Sequence, residues 1–229
     1  MATDTSTHYL GEQGAKYYRE KFGDRMLFGR LIQLEYFRPY CHEDRDLLDF
    51  GCSDGLSLRT LPARTRIGIE VNPSAIDRGR QLAKEQGVAV EFLSSLGEVA
   101  DESIDLAISN HCLEHVPSPL DALREIHRVL RPGGRLVLVV PFDDWRDKKN
   151  RSWRPDDPDH HLFTFCPLNL GNLVGEAGLH CENVEVCRTA WSPRIFWVDR
   201  VFGRTAFRLA CQILSRWLRR VEILCIATK

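Results

Sequence analysis

The chain has 229 residues and a formal net charge of −1, room for one domain with a large core and no electrostatic footprint for bulk nucleic-acid binding. Its eight cysteines, at 41, 52, 112, 166, 181, 187, 211 and 225, include no C-x-x-C pair, so they read as reduced thiols of a cytoplasmic protein rather than as a zinc or redox motif. There is no uninterrupted apolar run of 18 residues to span a membrane, and the polar start at residues 1–5 does not read as a secretory signal.

Residues 1–8 read as a frayed terminus. Residues 12–40 carry Tyr17, Phe22, Leu27, Phe28, Leu31, Leu34, Tyr36 and Phe37 at helical spacing, and Gly23-Asp24 divides them into two helices. Next comes an apolar run, Asp46-Leu47-Leu48-Asp49-Phe50, that ends on Gly51. Gly55 and a helix start at Leu56 follow it. A buried strand, a glycine turn and a helix N-terminus together make a ligand cradle: glycine permits positive φ and close approach, and the first helical N–H groups face outward.

A dinucleotide pattern G-x-G-x-x-G begun at Gly51 would need glycine at 53 and 56, but Ser53 and Leu56 stand there. The pattern acidic-x-G-x-G-x-G is met by Asp49, Gly51 and Gly55, with Ser53 as the one departure. On these residues the chain resembles the class I S-adenosylmethionine-dependent methyltransferases, and specifically their type 11-like branch, over residues 45–178. The resemblance implies an α/β fold, a three-layer Rossmann-like sandwich. Its sheet would have seven mostly parallel strands, with the last strand antiparallel. It implies S-adenosyl-L-methionine as cofactor, lined by Asp49, Gly51, Cys52, Ser53, Gly55, Glu70, Val71, Ser95, Leu96 and Asn110. Under it the chain divides into an N-terminal helical cap (1–44), a cofactor-binding core (45–178), and a C-terminal strand pair with an amphipathic insertion (179–229). In the family such N-terminal helices also cover the cofactor, which makes Tyr9, Tyr17 and Tyr18 candidate ligand contacts.

Pro62 ends the first core helix, and residues 66–71 read as a second buried strand. Glu70 at its end lies 19 residues after Gly51, where an acid accepts from ribose hydroxyls; a solvated surface acid is the plainer alternative. Asn72-Pro73 caps a helix that runs to Gln86 and stops at Gly87. Residues 88–93 read as a third strand, followed by Ser94, Ser95 and Leu96. Relatives often carry an aspartate there; here a serine hydroxyl and the Leu96 N–H would meet the adenine. Residues 101–110 lead into a fourth strand, whose carboxyl edge carries Asn110-His111-Cys112-Leu113-Glu114-His115. Ser118-Pro119 opens a helix with Leu120, Leu123, Ile126 and Leu130 on one face. Pro132-Gly133-Gly134 turns the chain into a fifth strand, 135–140.

Methyl transfer from a sulfonium needs an aligned nucleophile and, for a hydroxyl acceptor, a base. His115, His160 and His161 are the candidate catalytic residues, because imidazole titrates near neutral pH. The alternative for His115 is a helix-start histidine satisfied by backbone. His160 and His161, as neighbours in an extended loop, are expected to face opposite ways. No metal site is expected: Asp156, Asp157 and Asp159 with these two histidines are nearly contiguous and read as a solvated loop. Ser109-Asn110-His111-Cys112 lacks the proline pair of nucleic-acid amino-methyltransferases, so no nucleic-acid partner is expected.

Pro167 opens a helix that Gly178 stops; strands follow at 181–190 and 222–228. Between them, residues 191–220 hold seven arginines and one acid, Asp199. Arg200, Arg204, Arg208, Gln212, Arg216 and Arg220 recur every four positions. This reads as a docked helix with a basic solvent stripe, and alternatively as a peripheral membrane or lipid-linked-substrate surface over 195–220; Gly203 is a potential break. The expected activity is methyl transfer to O or N of a small-molecule acceptor, a sugar or secondary metabolite. A cofactor-binding module without turnover and an NAD-dependent oxidoreductase are the alternatives.

Overall fold

The computed structural model describes residues 7–21, 24–142, 152–153, 157, 160–187, 195–218 and 221–229. Its strands are β1 Asp46–Phe50, β2 Thr65–Ile69, β3 Glu91–Leu93, β4 Ile104–Asn110, β5 Leu130–Pro141, β6 His180–Cys187 and β7 Glu222–Thr228. Its helices are α1 Gly11–Lys21, α2 Asp24–Gln33, α3 Leu56–Thr60, α4 Pro73–Gln86, α5 Pro119–Val129, α6 Pro167–Glu176 and α7 Phe196–Leu218. The strands form one seven-stranded sheet in the order β3-β2-β1-β4-β5-β7-β6. The pairs β2–β3, β1–β2, β1–β4 and β4–β5 are parallel, and β7 runs antiparallel to both β5 and β6. This is the Rossmann-like architecture, with helices on both faces.

Strand periodicity explains the layers. Along β5, Leu136, Leu138 and Val140 enter one core, with Leu123, Ile126 and Val129 of α5 and Leu170 and Val174 of α6. The alternate residues, Val137 and Val139, enter the other core, with Leu34, Phe37, Leu58 and Phe92. Both faces are buried, so β5 reads as a continuous apolar run. Each fully buried Leu, Ile or Val contributes about 1.5–3 kcal/mol.

Local chemistry sets the helix ends. The Asn72 side chain accepts from the N–H groups of Ser74 and Ala75 at the start of α4, and Gly87 at φ 66° closes it. Leu61, held extended before Pro62 (φ −87°, ψ 144°), stops α3 after five residues. Extended pairing on β5 begins earlier than expected, because Leu130 already pairs with Ile104 across a register shift ahead of the turn at Gly133. β3 begins later, at Glu91. Residues 188–190, read as strand from sequence, lie outside the described residues.

Parallel pairing brings the carboxyl ends of β1, β2, β3 and β4 to one edge of the sheet. The chain leaves β1 toward β2 and β3, then returns to place β4 on the other side of β1. The crevice between the ends of β1 and β4 is therefore the switch point where open α/β sheets take ligands.

Candidate cofactor cleft and imidazole cluster

The turn after β1 alternates three left-handed residues: Gly51 at φ 80°, Ser53 at 52° and Gly55 at 71°. Ser53 keeps the backbone shape that the expected glycine would take. Gly51 also has a packing reason to be glycine, since a Cβ there would lie 2.4 Å from the Cys112 Sγ. At Gly55 the same atom would meet the Phe92 ring at 2.8 Å. The N–H groups of Gly51 and Cys52 both donate to the Ile69 carbonyl, at 2.9 and 3.0 Å, which locks the turn to the end of β2.

Glu70 follows immediately. Its carboxylate accepts the Ser53 N–H at 2.9 Å and those of Val71 and Asn72 at 2.8 Å each. Burial pushes its pKa above the usual range against these three bonds. Asp49 is buried beneath the turn, 3% exposed. Burial raises its pKa to about 7; the Ser57 hydroxyl opposes the shift, and the charges of Glu70 and Asp54 add to it. Asp54 behaves oppositely: burial would raise it, but Arg30 of α2 grips both oxygens and holds it below the ordinary carboxylate value. Tyr18 donates to the same carboxylate at 3.3 Å.

Two buried polar atoms at this edge, Ser53 Oγ and Asn110 Oδ1, have no hydrogen-bond partner among the described residues. Orphaned acceptors at the ends of β1 and β4, beside an acidic group at the end of β2, fit a polar ligand such as a nucleoside. Farther along, Ser95 accepts from Gly97 N–H at 3.1 Å and caps the 3-10 turn Leu96–Glu98, while Leu96 is buried and its carbonyl accepts from Arg128 at 2.8 Å. The Ser95 oxygen expected near an adenine amino group is thus already one bond committed. Cys52 is buried, and burial drives its thiol well above the usual pKa, an inert wall group.

Beyond β4 the second half of the site assembles. The 3-10 turn Leu113–His115 carries Glu114, fully buried at 0%, and His115. His115 Nδ1 lies 2.7 Å from the Tyr9 hydroxyl and 3.2 Å from the His160 carbonyl oxygen. The His161 ring meets His115 edge-on with centroids 4.9 Å apart, and His160 stacks on His8 at 4.4 Å. So the His161 ring and the His160 carbonyl both meet His115, while the His160 ring turns to His8. The rings of His160 and His161 go to different partners, His8 and His115, and His160 sits at φ 48° with its N–H donating to Asp157 at 2.9 Å. The N-terminal tyrosines divide: Tyr9 faces His115, Tyr17 packs edge-on against Tyr9 at 5.1 Å, and Tyr18 reaches the glycine turn. Asp156 and Asp159 of the acidic loop lie outside the described residues.

A polar group not foreseen from sequence borders this cluster. Glu222, the first residue of β7, accepts from Gln33 (3.0 Å), Tyr36 (2.9 Å) and His111 (3.0 Å). Burial would raise its pKa, but the bond to and charge of His111, with the Tyr36 and Gln33 hydrogen bonds, together outweigh it and hold it low. Gln33 also accepts from Asn110 at 3.2 Å, joining this group to the cleft. Nothing local marks Glu222. It reaches the site because β7 is antiparallel, so its first residue lies opposite Pro141 at the carboxyl end of β5. Glu114 had a local signal, an acid three residues after one histidine and immediately before another.

The model of the methyltransferase domain matches residues 24–184, and the chain belongs to that family. A segment of 108 residues is 41% identical to an uncharacterized 37.1 kDa protein in transposon Tn4556 of Streptomyces fradiae, covering 43% of this chain and 30% of that one. Over 172 residues it is 28% identical to a probable chloroplastic tocopherol O-methyltransferase of Oryza sativa subsp. japonica, covering 67% and 46%. The chain thus spans less than half the length of these curated relatives. Among solved structures, a Thermotoga maritima protein described as a possible histamine N-methyltransferase superposes with a TM-score of 0.65 at 19% identity, over 98% of this chain and 100% of that one. At that identity the likeness is one of fold.

Proposed function

We infer that the chain is an S-adenosylmethionine-dependent methyltransferase, one catalytic domain acting on an oxygen or nitrogen of a small molecule. The observation that carries this reading is the Glu70 carboxylate clasped to the Ser53 N–H of the glycine turn, beside the orphaned Ser53 Oγ and Asn110 Oδ1. An acid at the end of β2 suits ribose hydroxyls, and a G-x-S-x-G turn does not make the dinucleotide fingerprint, which speaks against NAD. Glu70, Ser53 and Asn110 would hold the cofactor, and Asp49, Gly51, Cys52, Gly55, Val71, Ser95 and Leu96 would form its walls. The bound cofactor supplies an electrophilic methyl group.

The chain's own residues then have to position an acceptor and take its proton. His115 Nδ1 lies between the Tyr9 hydroxyl at 2.7 Å and the His160 carbonyl at 3.2 Å; in the tautomer with its hydrogen on Nδ1 it donates to the carbonyl, and Nε2 keeps the lone pair a base needs. That Nε2 lies 3.7 Å from the Glu114 carboxylate, which favours the imidazolium formed when it accepts a proton. The name of the rice relative favours an oxygen acceptor; a sugar or secondary metabolite is the substrate class expected. A face of α7 is read as contacting an anionic lipid surface, because Trp197, Val201, Phe202, Leu209 and Ile213 are all more than half exposed there, beside the exposed Arg200.

The activity test is incubation with methyl-labelled cofactor and a panel of hydroxyl and amine acceptors. Label should pass to an acceptor, and His115→Ala should slow transfer about 10²- to 10⁴-fold while homocysteine-product binding is kept. Cofactor binding with no transfer to any acceptor would favour a binding module.

A further inference from the structure

Glu114 is fully buried, yet its Oε1 lies 3.7 Å from an imidazole nitrogen on each side, His111 Nδ1 and His115 Nε2. His161 closes the third side. One ligand atom from each of Glu114, His115 and His161 lies within 4.8 Å of the others. We propose that these three residues form a binding site for a divalent transition-metal ion of the zinc type. This departs from the sequence expectation of no metal, which considered Asp156, Asp157 and Asp159 with His160 and His161 but neither Glu114 nor His115.

The geometry meets what such an ion requires. The ligands come from two separate segments, the turn after β4 and the loop at 160–163. These are tied together because the Glu114 carbonyl accepts the N–H groups of both Leu162 (2.9 Å) and Phe163 (3.1 Å). Bonds of about 2.0–2.2 Å set tetrahedral ligands about 3.4 Å apart, so side-chain movements on the order of 1 Å close the group on an ion. In the tautomer with its hydrogen on Nδ1, His115 donates to the His160 carbonyl at 3.2 Å and presents its Nε2 lone pair, 3.7 Å from Glu114 Oε1, to the ion. A backbone carbonyl orienting a histidine in this way is the usual outer support of a metal-bound imidazole. Two imidazoles and one carboxylate suit zinc, cobalt or iron(II), and not magnesium or calcium, which take oxygen ligands. Three protein ligands leave a coordination position open for an acceptor oxygen. There the ion would lower the pKa of an acceptor hydroxyl, taking that task from the His115 base. This role rests on the methyltransferase reading, whereas binding of the ion does not.

The test is titration of the untagged, chelator-stripped full chain with Co(II), followed by visible absorption, then displacement by Zn(II), with no cofactor or acceptor present. One Co(II) per chain should give a d–d band that Zn(II) abolishes. His161→Ala, at a half-buried loop position, and Glu114→Gln should each weaken binding by more than about 100-fold, beyond the roughly 10- to 100-fold that changes in the outer shell alone cause. His180→Ala, on an exposed β6 position, should leave it unchanged. Absence of a saturable band in the wild type, or unchanged affinity in His161→Ala, would overturn the site and leave the cofactor cleft to be judged by its own titration.

Discussion

Asp49 and Ser53 occupy two motif positions only four residues apart, and the fold treats them in opposite ways. Ser53 holds a left-handed backbone that costs a non-glycine residue about 1–2 kcal/mol, and it buries a hydroxyl with no hydrogen-bond partner among the described residues. Strain retained at a site is a common mark of function. Asp49 pairs through its backbone with β2 and β4, and burial lifts its pKa from 3.8 to about 7. Its folded-state pKa is raised, so the native state binds the proton more tightly than the unfolded chain does. The stability it allows is complete below pH 4 and is lost as pH rises toward 7, by about 1.4 kcal/mol per unit over the interval where only the folded state stays protonated. Asp49→Asn removes this slope. Urea denaturation should show the stability difference between variant and wild type moving in favour of the variant from pH 4 to pH 7.5. A difference that does not change with pH would contradict the buried, protonated carboxyl.

Among the elements, α4 was the most legible, because its Asn-Pro start and Gly stop are chemical signals read without tertiary context. The α7 segment was less so. Its arginine period of four pointed to a basic stripe in solvent with the apolar remainder docked. In the structure Arg200, Arg204, Arg208 and Gln212 are all exposed, as that stripe requires; Arg204 and Arg208 also meet Glu35, Arg204 lies over the Phe28 ring at 5.4 Å, and of the apolar residues whose side chains are described only Phe207 and Cys211 are buried. Gly203, at φ 79° and ψ 174°, breaks the helix and resets the phase of its faces, so Trp197, Val201 and Phe202 turn outward. No helix among the described residues is long and apolar enough to cross a membrane. Sedimentation with anionic phospholipid vesicles should retain the wild-type chain. Because each large apolar side chain contributes about 1.5–3 kcal/mol on burial, the double substitution Trp197→Ser and Phe202→Ser should lower partitioning at least about tenfold. Equal partitioning would remove α7 as a lipid surface.

At the scale of the whole molecule, the mostly parallel seven-stranded sheet with its antiparallel last strand was expected through the family resemblance that the glycine turn, the acid after β2 and the Pro-Gly-Gly turn carry. These are local signals whose partners are supplied by a common topology. The polar network was not legible in the same way. Arg30 with Asp54, and Gln33 and Tyr36 with Glu222, join residues 24 to 189 positions apart, and only the crossing of the N-terminal layer over the sheet edge brings them together. The histidines were visible as chemistry but not as a cluster, because their meeting depends on a left-handed residue at 160. The central claim is that the cleft between β1, β2 and β4 holds an adenosyl cofactor through Glu70. Calorimetric titration with S-adenosylhomocysteine, and in parallel with NAD, tests it most directly. The wild type should bind the homocysteine product and not NAD, and Glu70→Gln should weaken that binding about 10- to 100-fold, the worth of hydrogen bonds to a charged group. Failure to bind S-adenosylhomocysteine, or binding of NAD in its place, would contradict the account.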